Sequence, residues 1–435
     1  MKTRAHKQAS VNVITLGCSK NLVDSEVLMG QLRAGDYQVS HEQAGASDIV
    51  IINTCGFIDN AKQESIETIL RYAEAKKQGN IEQLYVTGCL SQRYRDDLQN
   101  EIPEVDAWFG TLELPQLLRK VGLDYRHDLL GERMQVTPRH YAYIKISEGC
   151  DRPCSFCAIP LMRGGHVSKP IEQVVAEISN RVKHGTSEFM LIAQDSTYYG
   201  LDLYGTRKLA ELLQRVSDVP GVEWLRLHYA FPGQFPMDVL PVMAERSNIC
   251  NYLDIPVQHH SDRMLKLMRR GITKRRSEEL LQQIRESVPG IALRTTLLVG
   301  HPGETDDDFQ QLYDFVKRFR FNRLGVFTYS HEENTHAHNL ADDVPQELKE
   351  ERAASIMELQ REISDELNRE LIGKELKVMF DRLDGEYFVG RTEYDSPEVD
   401  NEVLVPAAGN YVRVGDFARV RITESTPYDL YGTLI

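Results

Sequence analysis

Three cysteines lie within eight consecutive positions of the chain, in the run Glu148-Gly149-Cys150-Asp151-Arg152-Pro153-Cys154-Ser155-Phe156-Cys157. Cysteine thiolates hold iron–sulfur clusters, and a cubane cluster usually takes four of them. The spacing C-x3-C-x2-C supplies three, so one iron would be left open to bind a substrate or cofactor directly. A zinc site fits less well, because zinc fingers and ribbons pair C-x2-C with a second, separated pair. A disulfide fits worst, because three close cysteines cannot all pair and nothing marks the chain as secreted.

A second set of three cysteines is spread over the first hundred residues, each one just after a short apolar run. Cys18 follows residues 11–16, Cys55 follows residues 49–53, and Cys89 follows residues 84–87. Helical patterns at 25–34 and 61–76 come between, so residues 8–135 read as βαβ units. Because the carboxyl ends of parallel strands meet at one edge of a sheet, these cysteines should come together there. Three buried core thiols are the alternative, but the repeated strand-end position favours a second three-cysteine cluster.

The central segment, residues 139–335, predicts an open, partial barrel. Its strand candidates are 141–147, 188–194, 224–230, 252–257, 292–300 and 323–329, with helical stretches at 171–184, 207–216, 263–270 and 306–319. Six β/α repeats are too few for a closed eight-stranded barrel. In such architectures the active site lies at the carboxyl ends of the strands, and the C-x3-C-x2-C loop follows the first strand.

The C-terminal part predicts a helix and then a small β-barrel. The helix starts near Asp343, a plausible cap, and can end at Gly373. Short strands follow at 376–381, 387–391, 402–405 and 418–422, separated by glycines. The predicted fold class is therefore α/β, with an N-terminal parallel sheet domain, a central partial (β/α)6 barrel and a small C-terminal β-barrel. The predicted division is 1–137, 138–342, a linker helix at 343–372, and 373–435.

Composition restricts the classes of function. The chain has 435 residues and a net charge of −14, which disfavours a phosphate backbone as its main ligand. Its basic N-terminus lacks the apolar stretch of a signal peptide, and no apolar run is long enough to span a membrane. Seven cysteines without an export signal predict a reducing cytoplasm, where metal binding is their natural use.

Three motifs together carry a resemblance to a known family. They are the segment Ser147–Pro160 with Met162-Arg163-Gly164, the run Tyr252-Leu253-Asp254-Ile255-Pro256-Val257-Gln258-His259, and the run Gly300-His301-Pro302-Gly303-Glu304-Thr305. With the two cysteine triads and the β-rich tail, they resemble the methylthiotransferase branch of the radical S-adenosylmethionine (SAM) enzymes. Within it they resemble the group that methylthiolates an aspartate of protein S twelve of the small ribosomal subunit. The resemblance covers essentially the whole chain, and it implies that the tail is a TRAM domain.

The resemblance implies two 4Fe-4S clusters and SAM as cofactors. Cys150, Cys154 and Cys157 would bind the cluster that cleaves SAM, and Cys18, Cys55 and Cys89 an auxiliary cluster that handles the transferred sulfur. One SAM would donate the methyl group and a second would be the radical source. A radical is needed because no side-chain base readily removes a proton from an unactivated aliphatic carbon. The cofactors thus carry the difficult chemistry and the protein orients them, so no side chain is assigned as catalytic.

Other cofactor-binding candidates are Phe156, Gln258, Gly300, Gly303 and Glu304. Phe156 could pack on the SAM adenine, with core packing as the alternative. The glycines could let backbone approach a ligand, with a simple turn as the alternative. Many radical SAM proteins carry Gly-Gly-Glu after the second strand to hold the SAM amine. This chain has Ala193-Gln194-Asp195 there, so that role is left unassigned.

The remaining cysteine, histidine and basic candidates have ordinary structural interpretations. Cys250 is expected to be a core thiol. His259 could face the pocket, and a structural histidine with satisfied hydrogen bonds is an equally plausible interpretation. The basic residues of 269–276 are expected to form a solvated face that could also meet ribosomal RNA; they are Arg269, Arg270, Lys274, Arg275 and Arg276.

The tail bears on the substrate. From Lys374 onward it holds seven basic and twelve acidic side chains, a balance of −5 that suits a basic ribosomal protein better than tRNA. The prediction is that Asp395, Glu398 and Asp400 help to dock a basic protein loop. A tRNA adenosine methylthiotransferase of the same branch is the alternative, and a non-catalytic iron–sulfur protein is a more distant one. An electron donor such as flavodoxin is an expected partner, whereas tRNA and membranes are not.

Overall fold

The structure is a computed structural model that describes residues 9–129 and 131–435. The chain forms two compact units. The first takes in the chain up to Thr137, together with Tyr143–Asp151 and Ala158–Asn180. The second takes in Pro138–Ala142, Arg152–Cys157 and Arg181–Ile435. No helix of the described ranges combines the length and apolar character needed to cross a bilayer.

The first unit is built on a five-stranded sheet in the order β2-β1-β3-β4-β5, in which every pair is parallel. This confirms the predicted N-terminal parallel sheet. Apolar residues on opposite faces of the strands bury two cores: Val11 and Val13 face one, and Ile14 faces the other. The elements are β1 (Ser10–Thr15), α1 (Ser19–Ala34), β2 (Gln38–His41), β3 (Ser47–Thr54), α2 (Asp59–Lys77), β4 (Ile81–Gly88), α3 (Cys89–Glu101), β5 (Ala107–Trp108) and α4 (Leu114–Lys120).

Short elements follow the N-terminal sheet. They are a 3-10 turn (His127–Leu129), β6 (Tyr141–Lys145), β7 (Ser147–Glu148), α5 (Ile159–Arg163), β8 (Val167–Ser168) and α6 (Ile171–Lys183). β7 and β8 pair as an antiparallel ladder of two residues each. They hold the two ends of the segment that contains the C-x3-C-x2-C motif.

The central sheet has six strands in the order β13-β12-β11-β10-β9-β6, so each strand lies beside the one before it in this series. The pairs from β9 to β13 are parallel, which confirms the predicted partial barrel. Its further elements are β9 (Glu188–Ile192), a 3-10 turn (Ser196–Tyr198), α7 (Leu201–Tyr204), α8 (Leu209–Ser217), β10 (Trp224–Leu227), α9 (Val239–Glu245), β11 (Ile249–Asp254), α10 (Asp262–Leu267), α11 (Lys274–Ser287), β12 (Ala292–Val299), α12 (Asp306–Phe319) and β13 (Arg323–Thr328).

β11 differs from the predicted strand at 252–257. It begins at Ile249 and ends at Asp254. Pro256 cannot donate a ladder hydrogen bond, which ends regular pairing before the apolar pattern does. The chain touches the sheet once more at Gln258, which forms an isolated bridge with Leu297.

The C-terminal part consists of a 3-10 turn (Ala337–Asn339), the long helix α13 (Gln346–Arg369) and a closed barrel in the order β14-β15-β16-β18-β17. Asp343 does not cap the helix; its carboxylate accepts a hydrogen bond from Gly303 N at 2.6 Å. The closed barrel confirms the predicted small β-domain and adds one strand that the sequence pattern had not revealed. The strands are β14 (Glu375–Asp384), β15 (Tyr387–Arg391), β16 (Glu402–Pro406), β17 (Phe417–Ser425) and β18 (Asp429–Leu434).

A buried ionic network joins this barrel to the central sheet within the second unit. Arg391 of β15 donates to Glu188 of β9 at 2.7 Å and to Asp381 of β14 at 2.6 Å. Arg226 of β10 shares the Glu188 carboxylate at 3.1 Å, and His140 lies 2.8 Å from Asp381. Because Glu188 and Arg226 are fully buried, water cannot stabilise their charges, and each charge is stabilised by its ionic partners instead.

The acidic loop of the barrel belongs to the same junction. Asp395 bonds to Arg323 at 3.0 Å, Asp400 accepts from Tyr252 at 2.8 Å, and Glu398 accepts from Tyr141 at 3.1 Å. The side chains of Asp395 and Asp400 are 2% and 1% exposed. For Asp395 and Asp400 the prediction of docking a basic protein loop is therefore wrong, because both are buried against the central sheet of their own chain. Glu398 is exposed as well as bonded to Tyr141, so its part in docking stays a prediction.

Candidate functional site

Cys18, Cys55 and Cys89 all lie in the first unit, at the carboxyl ends of its strands. Cys18 is the residue before α1, Cys55 follows the last residue of β3, and Cys89 is the first residue of α3. Gly17 has a φ of +90°, and a Cβ at that position would lie 2.9 Å from Cys55 Sγ. The loop that carries Cys18 therefore packs directly against Cys55, which is possible because residue 17 is glycine.

Burial and neighbouring charges set the electrostatic surroundings of these thiols. Burial raises the pKa of Cys89 to about 12, a rise that Arg163 opposes and that charge on Cys18 or Cys55 would increase. Burial likewise raises the pKa of Cys55, and the Phe57 backbone N–H opposes that rise. Thiolates at this site need a cation or a metal to offset their charge.

Arg163 is a cation that acts on Cys55 and Cys89, and its motif alone gave it no role. Its side chain is 2% exposed, and it donates to Asn21 Oδ1 at 2.5 Å, Asp24 at 2.8 Å and Glu148 at 3.1 Å. Burial alone would raise the pKa of Glu148, but Lys145 and Arg163 outweigh it and hold that pKa near 2. A buried guanidinium is thus fixed between α1 and the strand that leads to Cys150. The run Met162-Arg163-Gly164 was the available signal in the sequence.

The helix that carries Arg163 also contacts Cys89, one of the three strand-end cysteines. Ala158, the residue after Cys157, packs with Met162 and Ile159 against Cys89. Thr111 donates to Met162 O at 2.5 Å from the loop after β5. The chain that leaves the C-x3-C-x2-C motif is therefore packed onto Cys89.

Cys150 lies in the first unit, in a loop whose conformation requires glycine at position 149. Its N–H donates to Gly164 O at 3.1 Å. Gly149 has a φ of +72°, and a Cβ there would lie 2.0 Å from the backbone oxygen of Gly165. Gly149 therefore permits the backbone crossing on which the placement of Cys150 depends.

Cys154 and Cys157 lie in the second unit, in a loop held at both sides. Cys157 N donates to Cys154 O at 3.2 Å, while Ser155 N donates to Met268 O at 3.0 Å and Ser155 O accepts from Ala337 N at 2.7 Å. Ser155 Oγ lies 3.0 Å from His301 Nε2. The two thiols thus sit on a short, rigid turn.

Arg270 contacts this turn directly, contrary to the expectation of a solvated arginine. It is 4% exposed, and its Nη1 lies 3.2 Å from Cys154 Sγ while Nη2 donates to Pro256 O at 2.7 Å. Its Nε is buried without a hydrogen-bond partner. The residue is 116 positions from Cys154, so local sequence patterns gave no sign of the contact.

Arg152 and Asp195 form an ion pair that the sequence pattern did not reveal. Arg152 Nε donates to Asp195 Oδ2 at 2.6 Å, and the guanidinium stacks 4.1 Å from the centre of the Phe231 ring. Asp195 also accepts from Thr197 N at 2.9 Å. Asp195, which follows β9, is thus bound to an arginine of the cysteine loop.

Phe156 packs in an apolar cluster that includes Met264, Met268 and Tyr329, and its ring meets that of His301 edge-on at 6.5 Å. Its proposed contact with the SAM adenine stays a prediction beside this observed packing.

Gly300, Gly303 and Glu304 follow β12 and make contacts inside the second unit. Glu304 Oε1 pairs with Arg352 at 2.8 Å, and its Oε2 accepts from Gly300 N at 2.9 Å. A Cβ on Gly300 would lie 2.2 Å from Lys349 Cγ. These contacts favour a positioning role for Glu304, and direct cofactor binding by the three residues stays a prediction.

Gln258 is held in the left-handed region, with a φ of +71°. Its N–H donates to Thr296 O at 2.9 Å, and its own oxygen accepts from Leu298 N at 2.8 Å. Strained non-glycine backbone of this kind persists where the surrounding structure imposes it, often at functional sites. Its neighbour His259 is fully buried, accepts two backbone N–H groups on Nδ1, and faces Glu304 from Nε2 at 3.5 Å.

The donor set suits iron–sulfur clusters, which cysteine thiolates hold. Throughout the described residues, no three His, Cys, Asp or Glu side chains converge as ligands of one ion. A cubane is larger than one ion, so its ligand sulfurs stand farther apart. Cations at both triads, Arg163 and Arg270, match the negative charge of thiolate-bound clusters.

Models of three families match the chain. Residues 10–110 match the uncharacterized protein family UPF0004, residues 144–316 match the Radical SAM superfamily, and residues 372–435 match the TRAM domain.

Solved structures with the same fold include two radical SAM enzymes that also bind cobalamin. The methyltransferase TsrM from Kitasatospora setae, solved with cobalamin and a [4Fe-4S] cluster, has a TM-score of 0.52 at 15% identity, covering 74% of this chain and 75% of its own. The enzyme OxsB has a TM-score of 0.53 at 14% identity, covering 79% of this chain and 56% of its own. At these identities the likeness shows the fold alone.

Relatives of much higher identity span the whole chain. The protein of Cytophaga hutchinsonii named ribosomal protein uS12 methylthiotransferase RimO is 59% identical, covering 100% of both chains. Proteins of the same name are 60% identical in Christiangramia forsetii, covering 99% of this chain and 96% of that one, and 52% identical in Bacteroides fragilis, covering 99% and 100%. With this identity over its full length, the chain belongs to the RimO family of ribosomal protein uS12 methylthiotransferases within the radical SAM superfamily.

Proposed function

We propose that this chain adds a methylthio group to the β-carbon of an aspartate in ribosomal protein uS12. The observation that carries the proposal is the packing of Ala158, at the end of the C-x3-C-x2-C motif, against Cys89 of the strand-end triad. Sulfur transfer to a carbon radical requires the two cofactor sites to be neighbours. The names of the full-length relatives support the substrate.

The two cysteine triads divide the work. Cys150, Cys154 and Cys157 would hold a 4Fe-4S cluster with SAM, and Cys18, Cys55 and Cys89 would hold an auxiliary 4Fe-4S cluster. When bound, the cluster on Cys150, Cys154 and Cys157 would supply reductive cleavage of SAM, and the cluster on Cys18, Cys55 and Cys89 would supply the sulfur. One SAM is consumed as radical source and another as methyl donor.

The protein's own side chains position and shield these cofactors. Arg163 places a buried positive charge beside the strand-end triad and ties α1 to the Cys150 loop through Glu148. Arg270 donates to Cys154 and ties the cysteine turn to the backbone after β11. Arg152 and Asp195 neutralise each other near the same turn, which removes two otherwise costly buried charges.

Localisation, partners and domain limits belong to the same proposal. A ribosomal protein substrate and the thiolate chemistry both support a cytoplasmic enzyme. A protein electron donor of the flavodoxin type is proposed as reductant. The proposed domains are 1–137 for the auxiliary cluster, 138–342 for SAM chemistry, 343–372 as linker helix and 373–435 as TRAM domain.

The test is reconstitution of the two triads separately. The Cys18→Ala/Cys55→Ala/Cys89→Ala variant should lose about half of the iron and all modification, yet still cleave SAM under reduction. The matched Cys150→Ala/Cys154→Ala/Cys157→Ala variant should lose the other half together with SAM cleavage. Full iron retention in the first variant would contradict the auxiliary cluster.

Mass spectrometry decides the substrate. Purified small ribosomal subunits and total tRNA are each incubated with the reconstituted enzyme, SAM and a reductant. The methylthio mass increment is expected on an aspartate peptide of uS12. Modified tRNA beside unmodified uS12 would replace the proposal with the tRNA alternative.

A further inference from the structure

Residues 262–276 are strongly basic in a chain that is acidic overall. They contain seven arginines and lysines and a single acidic residue, Asp262, whereas the whole chain carries a net charge of −14. The seven are Arg263, Lys266, Arg269, Arg270, Lys274, Arg275 and Arg276. The segment comprises α10, the turn after it, and the start of α11.

The charge of this basic segment, residues 262–276, is available at the surface. Lys266 and Arg269 are exposed and have no acidic partner among the described residues. Arg275 and Arg276 are 77% and 70% exposed, and both point at Glu279 at 3.3 and 3.1 Å. One carboxylate cannot neutralise two guanidinium groups, so a net positive field remains.

The basic segment is bonded to the turn that carries Cys154 and Cys157. Met268 O accepts from Ser155 N at 3.0 Å, and Arg270 Nη1 lies 3.2 Å from Cys154 Sγ. Arg269 is exposed with a φ of +54°, so two consecutive residues point one to the surface and one to the cysteine. Arg269 and Arg270 therefore connect the positively charged surface to Cys154, a proposed cluster ligand.

An open groove of about 980 Å³ lies along the segment. Pro153 of the cysteine turn, Phe235, Leu265 and Ile272 give it apolar walls. Three cations and two carboxylates also line it, which leaves a small positive excess: Lys266, Arg269, Arg276, Asp262 and Glu279. A surface with apolar walls and a basic rim suits a partner that presents a flat apolar group surrounded by acidic residues.

We propose that the basic segment and its groove form the docking surface for an acidic flavoprotein that reduces the cluster bound by the C-x3-C-x2-C motif. The inference rests on the proposed function, because only reductive cleavage of SAM requires an electron to enter here. The reduced flavin loses one electron and the cluster gains one, and no bond to the protein forms or breaks. The apolar edge of a flavin ring fits the groove walls, and the acidic surface of its protein fits the rim.

The experiment is anaerobic stopped-flow reduction of the reconstituted enzyme by photoreduced flavodoxin, followed through the cluster absorbance. The test variant is Lys266→Glu/Arg269→Glu. The matched control is Lys374→Glu/Arg419→Glu, which reverses two exposed cations of the C-terminal barrel that also lack acidic partners in the described chain. Each protein is also reduced with dithionite, a small reagent that needs no docking surface.

The test variant should be reduced by flavodoxin at least about tenfold more slowly than wild type at low ionic strength, the lower end of steering effects. The difference in reduction rate should shrink in high salt, because the distance over which exposed charges interact falls to about 3 Å at 1 M. The control should match wild type, and dithionite should reduce all three proteins equally.

Equal flavodoxin rates in wild type and test variant would overturn the docking surface, as would equal slowing in the control. Normal flavodoxin reduction with impaired modification of ribosomal subunits would assign the basic segment to ribosomal RNA and also overturn it. Failure of dithionite to support SAM cleavage in wild type would instead count against the proposed function.

Discussion

Replacing Arg391 by methionine should strongly destabilise the second unit. Arg391 is 2% exposed, and its guanidinium bonds to both oxygens of Glu188 and both oxygens of Asp381. Methionine keeps much of the volume and removes the charge. Glu188 would then rely on Arg226 alone, and Asp381 on His140.

The size of the effect follows from the burial of the charges. Breaking a buried ion pair by removing one partner costs about 3–5 kcal/mol, because the remaining charge loses its compensation. For a domain of roughly this size, each kcal/mol lowers the melting temperature by about 2–4 °C. The Arg391→Met variant should therefore melt roughly 6–20 °C below wild type.

Differential scanning calorimetry of the full chain measures this shift. The matched control is Arg413→Met on the same barrel, where the guanidinium is exposed and pairs with Asp416 at 2.9 Å. An exposed pair contributes little, so the control should melt with wild type. An Arg391→Met variant that melts no lower than the control would refute the view that this network holds barrel and sheet together.

Two further predictions concern the cysteine loop and the pH dependence of stability. Gly149→Ala should lose about half the bound iron, because its Cβ would lie 2.0 Å from Gly165 O; Gly325→Ala, where φ is ordinary and nothing lies within 4 Å of the added Cβ, should keep the iron. Equal iron in both variants would contradict the steric argument. Burial alone would raise the pKa of Glu188, yet Arg391 and Arg226 lower it, so its stabilisation is present above its ordinary value of 4.5 and lost as pH falls through the lower folded value. The melting temperatures of wild type and Arg391→Met should accordingly lie farther apart at pH 7 than at pH 4, and a gap that widens in acid would contradict this sign.

The strand framework could be predicted because it depends on local patterns. Apolar, β-branched runs marked the central strands, and the cysteines after three of them identified one edge of the N-terminal sheet. Short or irregular strands escaped: β2 is half-buried and polar, β5 has two residues, and β18 contains Gly432. Glycine is used there because a Cβ would lie 2.4 Å from Val420 Cγ1, a packing reason that no local pattern reveals.

The cysteine spacing predicted the candidate site, whereas the arginines beside these thiols were not predicted. Cysteine spacing is a local property, whereas the contact of Arg270 with Cys154 joins residues 116 positions apart. Arg163 was visible within a motif, but its role depends on Asn21 and Glu148 from two other elements. The acidic loop of the tail was misjudged for the same reason, because counting charges does not show that Arg323 binds Asp395.

The junction between barrel and central sheet also bears on how deletion experiments are interpreted. A chain that stops after α13 would expose a ring of groups that the barrel now covers, among them Glu188, Arg226, Tyr252 and Arg323. Uncovered arginines beside the apolar face of Trp224 and Cys250 would make such a fragment prone to misfolding and self-association. An inactive truncated protein would then report damage to the SAM-binding half of the molecule, and it would carry no information about whether the barrel recognises the ribosome. Point substitutions on the barrel's outer surface are the way to separate recognition from folding.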